Sequence, residues 1–500
     1  MRPDAETVQP ADPPPDPPAP PRIGASGAGP SSTSEVKYAW SEVPRQDPPK
    51  REAEERSADY LEIYRLYDPE TVMAQAARCV QCAMAFCSLG CPLGNRIPEW
   101  LGLAAEGRFI EAAAVSRSTS NMPEICSRVC PQERLCEGMC TLIVRADPVP
   151  IGAIEKFINE YAFARDAVDA VRVMPNGRSV AVAGSGPASL ACADELAALG
   201  YAVTVFEALP ILGGLLAGGI PSFKLDKSVV DRRIALLEKK GVRFRTGVRV
   251  GSDISLGDLL ARHDAVFLGM GAPRARELDI PGCGLPGVYQ AMPFLVRKNL
   301  GTASGLPDID VRGKSVAVLG GGDTAMDCLR TAIRAGARQA VCLYRRDLAN
   351  MPGSRKEYRN ALEEGAQFVF LTSPISIEGD PARGLTHVRC SRMALGDPDA
   401  KGRRKPYAVP HSEFTVPADI VLVAYGFDPI SFPPESEWSA IAVDESGGIV
   451  VDKNQMTTLD RVFSGGDQVR GANLVVYAVR DGRKAAAGIH RCLSERAPQA

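Results

Sequence analysis

Two copies of one glycine-rich unit constrain the fold of this chain more than any other sequence feature. Residues 178–208 read RSVAVAGSGPASLACADELAALGYAVTVFEA, and residues 314–347 read KSVAVLGGGDTAMDCLRTAIRAGARQAVCLYRRD. Each copy has the order strand, glycine turn, helix, strand, and each is followed by another apolar strand that ends in glycine. Strands that alternate with helices predict parallel sheets. The duplication therefore predicts an α/β protein with two Rossmann-like domains.

The first glycine turn has the spacing that a dinucleotide requires. Gly184, Gly186 and Ser189 fill the frame G-x-G-x-x-(G/A). The first glycine permits the tight turn, the second lets the backbone approach a pyrophosphate at the helix N-terminus, and a small third residue allows helix–strand packing. Glu207 ends the next strand, where a carboxylate can accept hydrogen bonds from a ribose. The alternative is a tight turn beside an exposed glutamate.

The second glycine turn repeats the frame with a different charge beside it. Gly320, Gly322 and Ala325 occupy the frame, and Arg345 and Arg346 stand where the first copy has its glutamate. Cations at this point suit the 2′-phosphate of NADPH, which a carboxylate would repel. The alternative is a solvated surface pair of arginines. Two such sites in one chain suggest a flavin in the first and NADPH in the second.

A third glycine-rich segment lies near the end of the chain. Residues 462–489 read VFSGGDQVRGANLVVYAVRDGRKAAAGI, in which a strand runs into Gly466 and Asp467 and a helix begins near Ala472. Asp467 could accept hydrogen bonds from the ribityl chain of a flavin, with the helix N-terminus facing the flavin ring. If so, the last residues return to the first domain, and the NADPH domain is an insertion in it.

These patterns divide the chain into segments. Residues 1–50 are rich in Pro, Ser, Gly and Ala, with few large apolar residues, which predicts a disordered tail. Residues 51–172 have apolar positions at helical spacing. The FAD-binding domain then takes residues 173–300 and 431–500, and the NADPH-binding domain takes residues 301–430.

Eight of the 14 cysteines lie in the helical segment, in two blocks. The spacings are C-x₂-C-x₄-C-x₃-C-P and C-x₃-C-P-x₅-C-x₃-C. The first resembles the ferredoxin run, whose last cysteine can serve the other cluster, whereas zinc sites use separated cysteine pairs. Two 4Fe–4S clusters are therefore favoured over structural zinc or disulfides. The candidate ligands are Cys79, Cys82, Cys87, Cys91, Cys126, Cys130, Cys136 and Cys140.

Composition and charge limit the partners and the cellular location that we expect for this chain. The net charge of −2 gives no reason to expect nucleic acid or an anionic membrane as a partner. No apolar run approaches the roughly 20 residues of a membrane span. The first residues lack the apolar region of a secretory signal. We therefore expect a cytoplasmic protein, in which thiols stay reduced.

Some catalytic devices are missing from the sequence. The second glycine-turn unit has Cys328 alone, so a dithiol of the thioredoxin-reductase type is not expected. None of the four histidines stands in a recognisable motif. Hydride transfer between two cofactors requires their placement rather than a side-chain acid or base. We therefore predict no catalytic side chain.

Longer strings connect these motifs to a known family. They include SNMPEICSRVCPQERLCEGMC, GGLLAGGIPSFKLDKSVVDRR, GGGDTAMDCLRTAIRAGA, YRRDLANMPGSRKE and GDQVRGANLVVYAVRDGR. Over about residues 45 to 495 the chain resembles the small (beta) subunit of NADPH-dependent glutamate synthase. The same FAD/NAD(P)-binding module occurs in dihydropyrimidine dehydrogenase.

The resemblance implies a set of cofactor ligands. It implies FAD contacts from Gly184, Gly186, Glu207, Gly214, Leu215, Lys224 and Asp467. It implies NADPH contacts from Gly322, Asp323, Thr324, Arg345, Arg346 and Arg355. It also implies interleaved ligands for the clusters, with Cys79, Cys82, Cys87 and Cys140 at one. The other would use Cys91, Cys130, Cys136 and Glu155, with Cys126 spare. The simpler alternative gives each cluster four cysteines.

The resemblance also implies a function. NADPH would reduce FAD, and the clusters would carry electrons to a large subunit that makes L-glutamate from L-glutamine and 2-oxoglutarate. The chain has no amidotransferase domain, so we expect it to act with that partner. The alternatives are an NADPH-dependent reductase for another acceptor, such as a ferredoxin or a pyrimidine-reducing subunit, and a zinc-bound scaffold without activity.

Overall fold

The first part of the protein is a bundle of short helices. The computed structural model describes residues 39–398, 404–430, 432 and 435–495. Several of these helices have proline in their first turn, where no backbone N–H is needed. The helices are α1 (Ala39–Glu42), α2 (Ala53–Ser57), α3 (Pro69–Ala77), α4 (Phe86–Gly90), α5 (Ile97–Ala105), α6 (Phe109–Thr119), α7 (Pro123–Val129) and α8 (Ile151–Phe163). Short 3₁₀ turns lie at Gln132–Arg134 and Thr141–Val144.

The first glycine-turn unit continues the chain. Its central strand consists of apolar residues that are buried from Val180 to Ala183, as expected for a parallel strand covered on both faces. The elements are β1 (Ser179–Ala183), α9 (Pro187–Ala198), β2 (Ala202–Glu207), α10 (Leu215–Gly218), α11 (Lys227–Lys239), β3 (Arg243–Thr246), α12 (Leu256–Arg262) and β4 (Ala265–Leu268).

The second glycine-turn unit follows with a second parallel sheet. Its elements are β5 (Arg274–Ala275), β6 (Val288–Gln290), α13 (Ala291–Leu300), β7 (Ser315–Leu319), α14 (Asp323–Arg334), β8 (Gln339–Tyr344), α15 (Arg355–Glu363), β9 (Gln367–Phe370), β10 (Thr372–Asp380), β11 (Gly384–Pro398), β12 (Arg404–Pro417), β13 (Ile420–Val423) and β14 (Phe427–Asp428). The parallel sheet has the order β6-β13-β7-β8-β9. The strands β10-β11-β12 form an antiparallel sheet that the sequence analysis did not foresee.

The chain then returns to its first sheet. The last elements are β15 (Val462–Ser464), α16 (Asp467–Arg470) and α17 (Val475–Ser494). The strand β15 pairs in parallel with β4, which gives the order β15-β4-β1-β2-β3. The second unit is therefore inserted in the first. The predicted fold class is confirmed.

The predicted boundary between the two units needs a correction. The strand β6 pairs with β13 of the second sheet, so this sheet begins at Val288, before the predicted boundary at residue 301. The strands β5 and β14 pair with each other at the places where the chain enters and leaves the inserted unit. A strand of three residues carries too little periodicity to be detected from sequence.

The end of the predicted tail also differs from the expectation. Residues 1–38 lie outside the described residues, but residues 39–50 are packed on the helical domain. The guanidinium of Arg45 pairs with Glu137 at 2.9 Å, and the backbone N–H of Gln46 donates to the side chain of Gln75. The disorder predicted for residues 1–50 therefore does not extend to this segment. Within the described ranges, no helix has both the length and the apolar character to cross a membrane.

Candidate cofactor sites

The first glycine turn leaves room for a ligand on its open side. Gly184 has a φ of +86° and donates its backbone N–H to Phe206 at 2.8 Å. A Cβ on Gly184 would lie 2.6 Å from the carbonyl oxygen of Gly269, so only glycine fits there. A Cβ on Gly186 would meet no described atom within 4 Å. The helix α9 begins beside this space, which fits the pyrophosphate of FAD.

The side chain of Glu207 stabilises this turn through hydrogen bonds. Its carboxylate is buried and accepts hydrogen bonds from the backbone N–H of Ser185 at 2.9 Å and from its hydroxyl at 2.6 Å. It also accepts from the backbone N–H of Leu209 at 2.9 Å. The exposed glutamate of the alternative interpretation is therefore excluded, whereas the ribose contact stays a prediction.

A second loop crosses the turn. The backbone N–H of Gly213 donates to the hydroxyl of Ser185 at 3.0 Å. A Cβ on Gly214 would lie 3.0 Å from Cα of Gly186, so the two glycines allow this close approach. Leu215, which begins α10, is nearly half exposed. The loop brings two further predicted FAD contacts to the turn.

Ser189 has a partner that the sequence analysis missed. The buried hydroxyl of Ser189 lies 3.4 Å from the carbonyl oxygen of Gly269. A Cβ on Gly269 would lie 2.2 Å from that hydroxyl oxygen. The larger third residue of the frame is thus accommodated by a glycine at the end of the neighbouring strand.

Asp467 lies at the start of α16, a short helix that the sequence did not indicate, and beside an unpartnered amide. The helix expected near Ala472 begins at Val475. Burial raises the pKa of Asp467 to about 7, although a hydrogen bond from the backbone N–H of Asn473 at 3.2 Å acts to lower it. The neighbouring Gln468 is fully buried, and both of its side-chain amide atoms lack a hydrogen-bond partner among the described residues. Buried polar atoms of this kind indicate a missing ligand. These residues fit the polar part of a flavin.

Lys224, another residue predicted to contact FAD, forms its ion pairs with the inserted domain. Its ammonium is 2.8 Å from the carboxylate of Asp327 and 3.8 Å from that of Glu357, both in the inserted domain. Burial acts to lower the pKa of Lys224, but these carboxylates raise it above its usual value. The lysine therefore links the two domains in this structure, and its predicted FAD contact stays a prediction.

The second glycine turn repeats the geometry of the first. A Cβ on Gly320 would lie 2.4 Å from the carbonyl oxygen of Ala424, whereas a Cβ on Gly322 would meet no described atom within 4 Å. The helix α14 begins at Asp323, with Thr324 half-buried and Ala325 buried. This arrangement fits a second pyrophosphate.

Two of the three arginines predicted to bind NADPH have unused donors. Arg345 is exposed and Arg346 is half-buried. The buried Nε of Arg346 and the buried Nη1 of Arg355 have no hydrogen-bond partner in the described part of the chain. Arg355 also donates to the carbonyl oxygen of Ala349 at 3.0 Å. Unpartnered guanidinium N–H groups fit an anion such as a 2′-phosphate.

One cavity in the helical domain gathers half of the thiols. Its lining includes the side chains of Cys91, Cys126, Cys130, Cys136 and Glu155. A hydrogen bond with the Cys126 thiol raises the pKa of Cys130 well above its usual value. The structure thus brings the proposed spare cysteine to the same cavity as the other four groups.

Glu155 is held in this cavity by two donors. The side-chain amide of Asn95 donates to its carboxylate at 2.7 Å, and the hydroxyl of Ser116 donates at 2.8 Å. Burial raises the pKa of Glu155 to about 7. This buried carboxylate lines the same cavity as four thiols, and its role as a cluster ligand stays a prediction.

The other thiols, those of Cys79, Cys82, Cys87 and Cys140, form a second group. Burial raises the pKa of Cys79 to about 12, with further contributions from Cys87, Cys140 and Cys82. The sulfur of Cys82 lies 3.1 Å from the hydroxyl of Thr141. No three His, Cys, Asp or Glu side chains in the described ranges are arranged around a single metal ion. Cys79 interacts with the other three thiols of this group, whereas the remaining four thiols line the cavity, and the assignment of ligands to each cluster stays a prediction.

Comparison with protein families defines the class of enzyme. Residues 56–167 match the family described as dihydropyrimidine dehydrogenase domain II, 4Fe-4S cluster. Residues 178–482 match the family described as pyridine nucleotide-disulphide oxidoreductase. The solved structure of Mycobacterium tuberculosis FprA in complex with NADPH has a TM-score of 0.54 and 22% identity, and it covers 64% of this chain and 85% of its own. This likeness supports the fold alone.

Two curated relatives narrow the class. The glutamate synthase [NADPH] small chain of Halomonas elongata is 46% identical over 90% of this chain and 97% of its own length. The putative oxidoreductase AegA of Escherichia coli is 44% identical over 91% of this chain and 71% of its own length. The chain belongs to the glutamate synthase [NADPH] small-chain family. This membership confirms the predicted resemblance, the enzyme class of NADPH-dependent flavin oxidoreductase, and the cofactors FAD, NADPH and 4Fe–4S.

Proposed function

We propose that this protein is the electron-input subunit of a glutamate synthase. Its partner would be a large subunit that makes L-glutamate from L-glutamine and 2-oxoglutarate. NADPH and FAD would supply hydride transfer, and two 4Fe–4S clusters would supply single-electron transfer to that subunit. The observation that carries this proposal is the 46% identity over almost the whole length of a glutamate synthase small chain.

The predicted residues then have the following roles. FAD would be held by Gly184, Gly186, Ser189, Glu207, Gly214, Leu215, Lys224, Gly466 and Asp467. NADPH would be held by Gly320, Gly322, Asp323, Thr324, Ala325, Arg345, Arg346 and Arg355. One cluster would be held by Cys79, Cys82, Cys87 and Cys140. The other would be held by Cys91, Cys130, Cys136 and Glu155, with Cys126 as the alternative fourth ligand.

The helix α17 supports an electron route between these sites. It begins eight residues after Asp467, and its second residue, Val476, lines the cavity that contains Cys130 and Glu155. Val476 shares an apolar core with Met122 of the helical domain and with residues of the first sheet. The flavin site and the thiol group that lines this cavity are therefore joined by packed side chains rather than by a mobile linker.

The surroundings of the thiol group formed by Cys79, Cys82, Cys87 and Cys140 support a route by which electrons leave to a partner. Large apolar side chains are exposed on the segments that carry Cys82, Cys87 and Cys140. The exposed fractions are 63% for Met84, 70% for Leu89 and 82% for Val144. Exposed apolar side chains grouped in this way are typical of a surface that another protein covers. We assign this surface to the large subunit.

Co-purification tests the proposal. The native protein, isolated from its own cells, should bring down a large subunit with glutaminase and 2-oxoglutarate-reducing activities. Val144→Asp should weaken this association, because the charge would lose its hydration at the interface, while NADPH oxidation with an artificial acceptor stays unchanged. Retention of the partner by Val144→Asp would remove the surface assignment. Failure of the wild-type protein to bind such a subunit would remove the glutamate synthase assignment.

The similarity to AegA supports one alternative. AegA is a putative oxidoreductase whose identity to this chain is almost the same. A reductase for another acceptor, such as a ferredoxin or a pyrimidine-reducing subunit, would keep the same cofactor residues. Co-purification with such an acceptor would favour this alternative. For either function we infer a cytoplasmic location, where the cluster thiols stay reduced.

A further inference from the structure

A polar cavity lies where four parts of the protein meet. Its walls come from the N-terminal segment between Arg45 and Arg65, from the helical domain, from Phe223 and Lys224 of the first glycine-turn unit, and from α15 of the inserted domain. Its volume is about 330 Å³, which is sufficient for a small metabolite. Eight cationic and six carboxylate side chains line it. The lining therefore has a surplus of two positive charges.

Most of the lining cations have carboxylate partners. These ion pairs are Arg45 with Glu137, Lys50 with Glu363, Arg128 and Lys156 with Glu62, and Lys224 with Asp327. Their N–O distances lie between 2.6 and 2.9 Å. Three lining cations, Arg65, Lys356 and Arg359, form no ion pair within the described ranges. Among the lining carboxylates Glu133 forms no ion pair in these ranges either, so three unpaired cations and one unpaired carboxylate account for the surplus of two positive charges.

Lys356 is the most enclosed of the three. It is half-buried, whereas Arg65 and Arg359 are exposed. Its ammonium lies 4.1 Å from the ring centre of Tyr64, whose hydroxyl donates to the side chain of Asn360 at 3.0 Å. Burial lowers the pKa of Lys356, against the opposing effect of the carboxylates of Glu357, Glu137, Glu133 and Asp47, none of which forms an ion pair with it in the described part of the chain. An enclosed ammonium outside any ion pair is left without a close partner, which an anionic ligand would supply.

We propose that this cavity binds a small anion with at least two negative charges, carried by phosphate or carboxylate groups. Lys356 would contact the anion from α15, and Arg65 and Arg359 would contact it at the mouth of the cavity. Neither Gly322 nor Arg345 lines the cavity, so the site is distinct from the predicted NADPH site. The anion would add a contact between the inserted domain and the N-terminal segment.

Calorimetric titration of the purified holoprotein tests this site. Inorganic phosphate and citrate are titrated separately in chloride buffer at constant ionic strength, with NADP⁺ present at saturation to occupy the dinucleotide site. We expect one of the two anions or both to bind the wild-type protein, and the preference between them identifies the phosphate or carboxylate source. Lys356→Met should weaken the binding roughly tenfold or more, and Lys356→Arg should retain most of it.

Two controls keep the result decisive. Lys453 is an exposed lysine that does not line the cavity, and Lys453→Met should bind like the wild type. Flavin absorbance should be equal in all variants, which shows that they fold. The proposal is overturned if neither anion binds the wild-type protein. It is equally overturned if Lys356→Met and the wild type bind phosphate and citrate with the same affinity.

Discussion

At the scale of single residues, Arg345 and Arg346 should determine the choice of nicotinamide cofactor. Replacing both with glutamine should raise the KM for NADPH roughly 10- to 100-fold, because the 2′-phosphate loses charged donors. The KM for NADH should stay nearly unchanged. Steady-state reduction of an artificial acceptor measures both constants, with Arg383→Gln on a distant loop as a control. An equal loss for both cofactors would contradict the assignment.

The second prediction at this scale concerns the fourth ligand of the cluster assigned to Cys91, Cys130 and Cys136. Glu155→Ala should lose about four of about eight iron atoms per chain, because one cluster loses a ligand. Cys126→Ala should retain its iron. Iron and flavin analysis of the purified variants measures this, and unchanged flavin shows that the fold is kept. The reverse result, in which Cys126→Ala loses iron and Glu155→Ala does not, would support four cysteines per cluster.

Residue-level prediction from sequence was strongest where short-range spacing carries the chemistry. The glycine frames depend on such spacing, which the sequence displays directly, whereas the interleaved cysteine groups were implied only by the resemblance. Contacts over long separations were not predictable. Nothing in the sequence connects Ser189 with Gly269, or Lys224 with Asp327, because each pair is brought together only by the packing of separate elements.

At the scale of elements, the packing of α17 on α9 should control flavin retention. A Cβ on Gly482 would lie 2.1 Å from the carbonyl oxygen of Ala188, near the start of α9. Gly482→Ala should therefore separate the helices and cost about 1–3 kcal/mol of stability. Thermal unfolding and flavin content measure the effect. Lys484→Ala, an exposed change on the same helix, should alter neither, and a normal flavin content in Gly482→Ala would contradict the argument.

Elements were predictable in proportion to their length and regularity. The long alternation of strands and helices in both glycine-turn units identified the two parallel sheets. The strand β6 was missed because it has three residues and a weak pattern. The antiparallel strands β11 and β12 were missed because many of their residues are half-buried or exposed, so they lack the apolar runs of the parallel strands.

At the scale of the whole molecule, one carboxylate connects the N-terminal segment to the inserted domain. Glu364 has a fully buried side chain and accepts hydrogen bonds from Arg56 at 3.0 Å, from Arg330 at 2.8 Å and from Arg334 at 2.6 Å. Phe223 of the first domain lies against Arg330 and Arg334, with guanidinium-to-ring distances of 4.3 and 4.0 Å. Three parts of the chain therefore meet at this network, which fixes how the inserted domain is oriented.

Glu364→Gln should loosen this junction at neutral pH. Burial acts to raise the pKa of Glu364, but the hydrogen bonds from Arg330 and Arg334 outweigh it and lower the pKa to about 2. The carboxylate therefore makes its full contribution at pH 7, and that contribution is lost only in acid, as the pH falls below the ordinary glutamate pKa of 4.5 towards 2. Removing its charge leaves buried guanidinium groups uncompensated, which costs about 3–5 kcal/mol for a buried pair.

The neighbouring residue provides a matched control for this prediction. Glu363 pairs with Lys50 and Arg56, but 42% of its side chain is exposed, so solvent screens its charge. Glu364→Gln should lower the thermal midpoint by several degrees and expose the segment around Arg56 to protease, whereas Glu363→Gln should do neither to a comparable extent. If both variants behave alike, the buried network around Glu364 does not hold the junction together, and the N-terminal segment does not fix the orientation of the inserted domain.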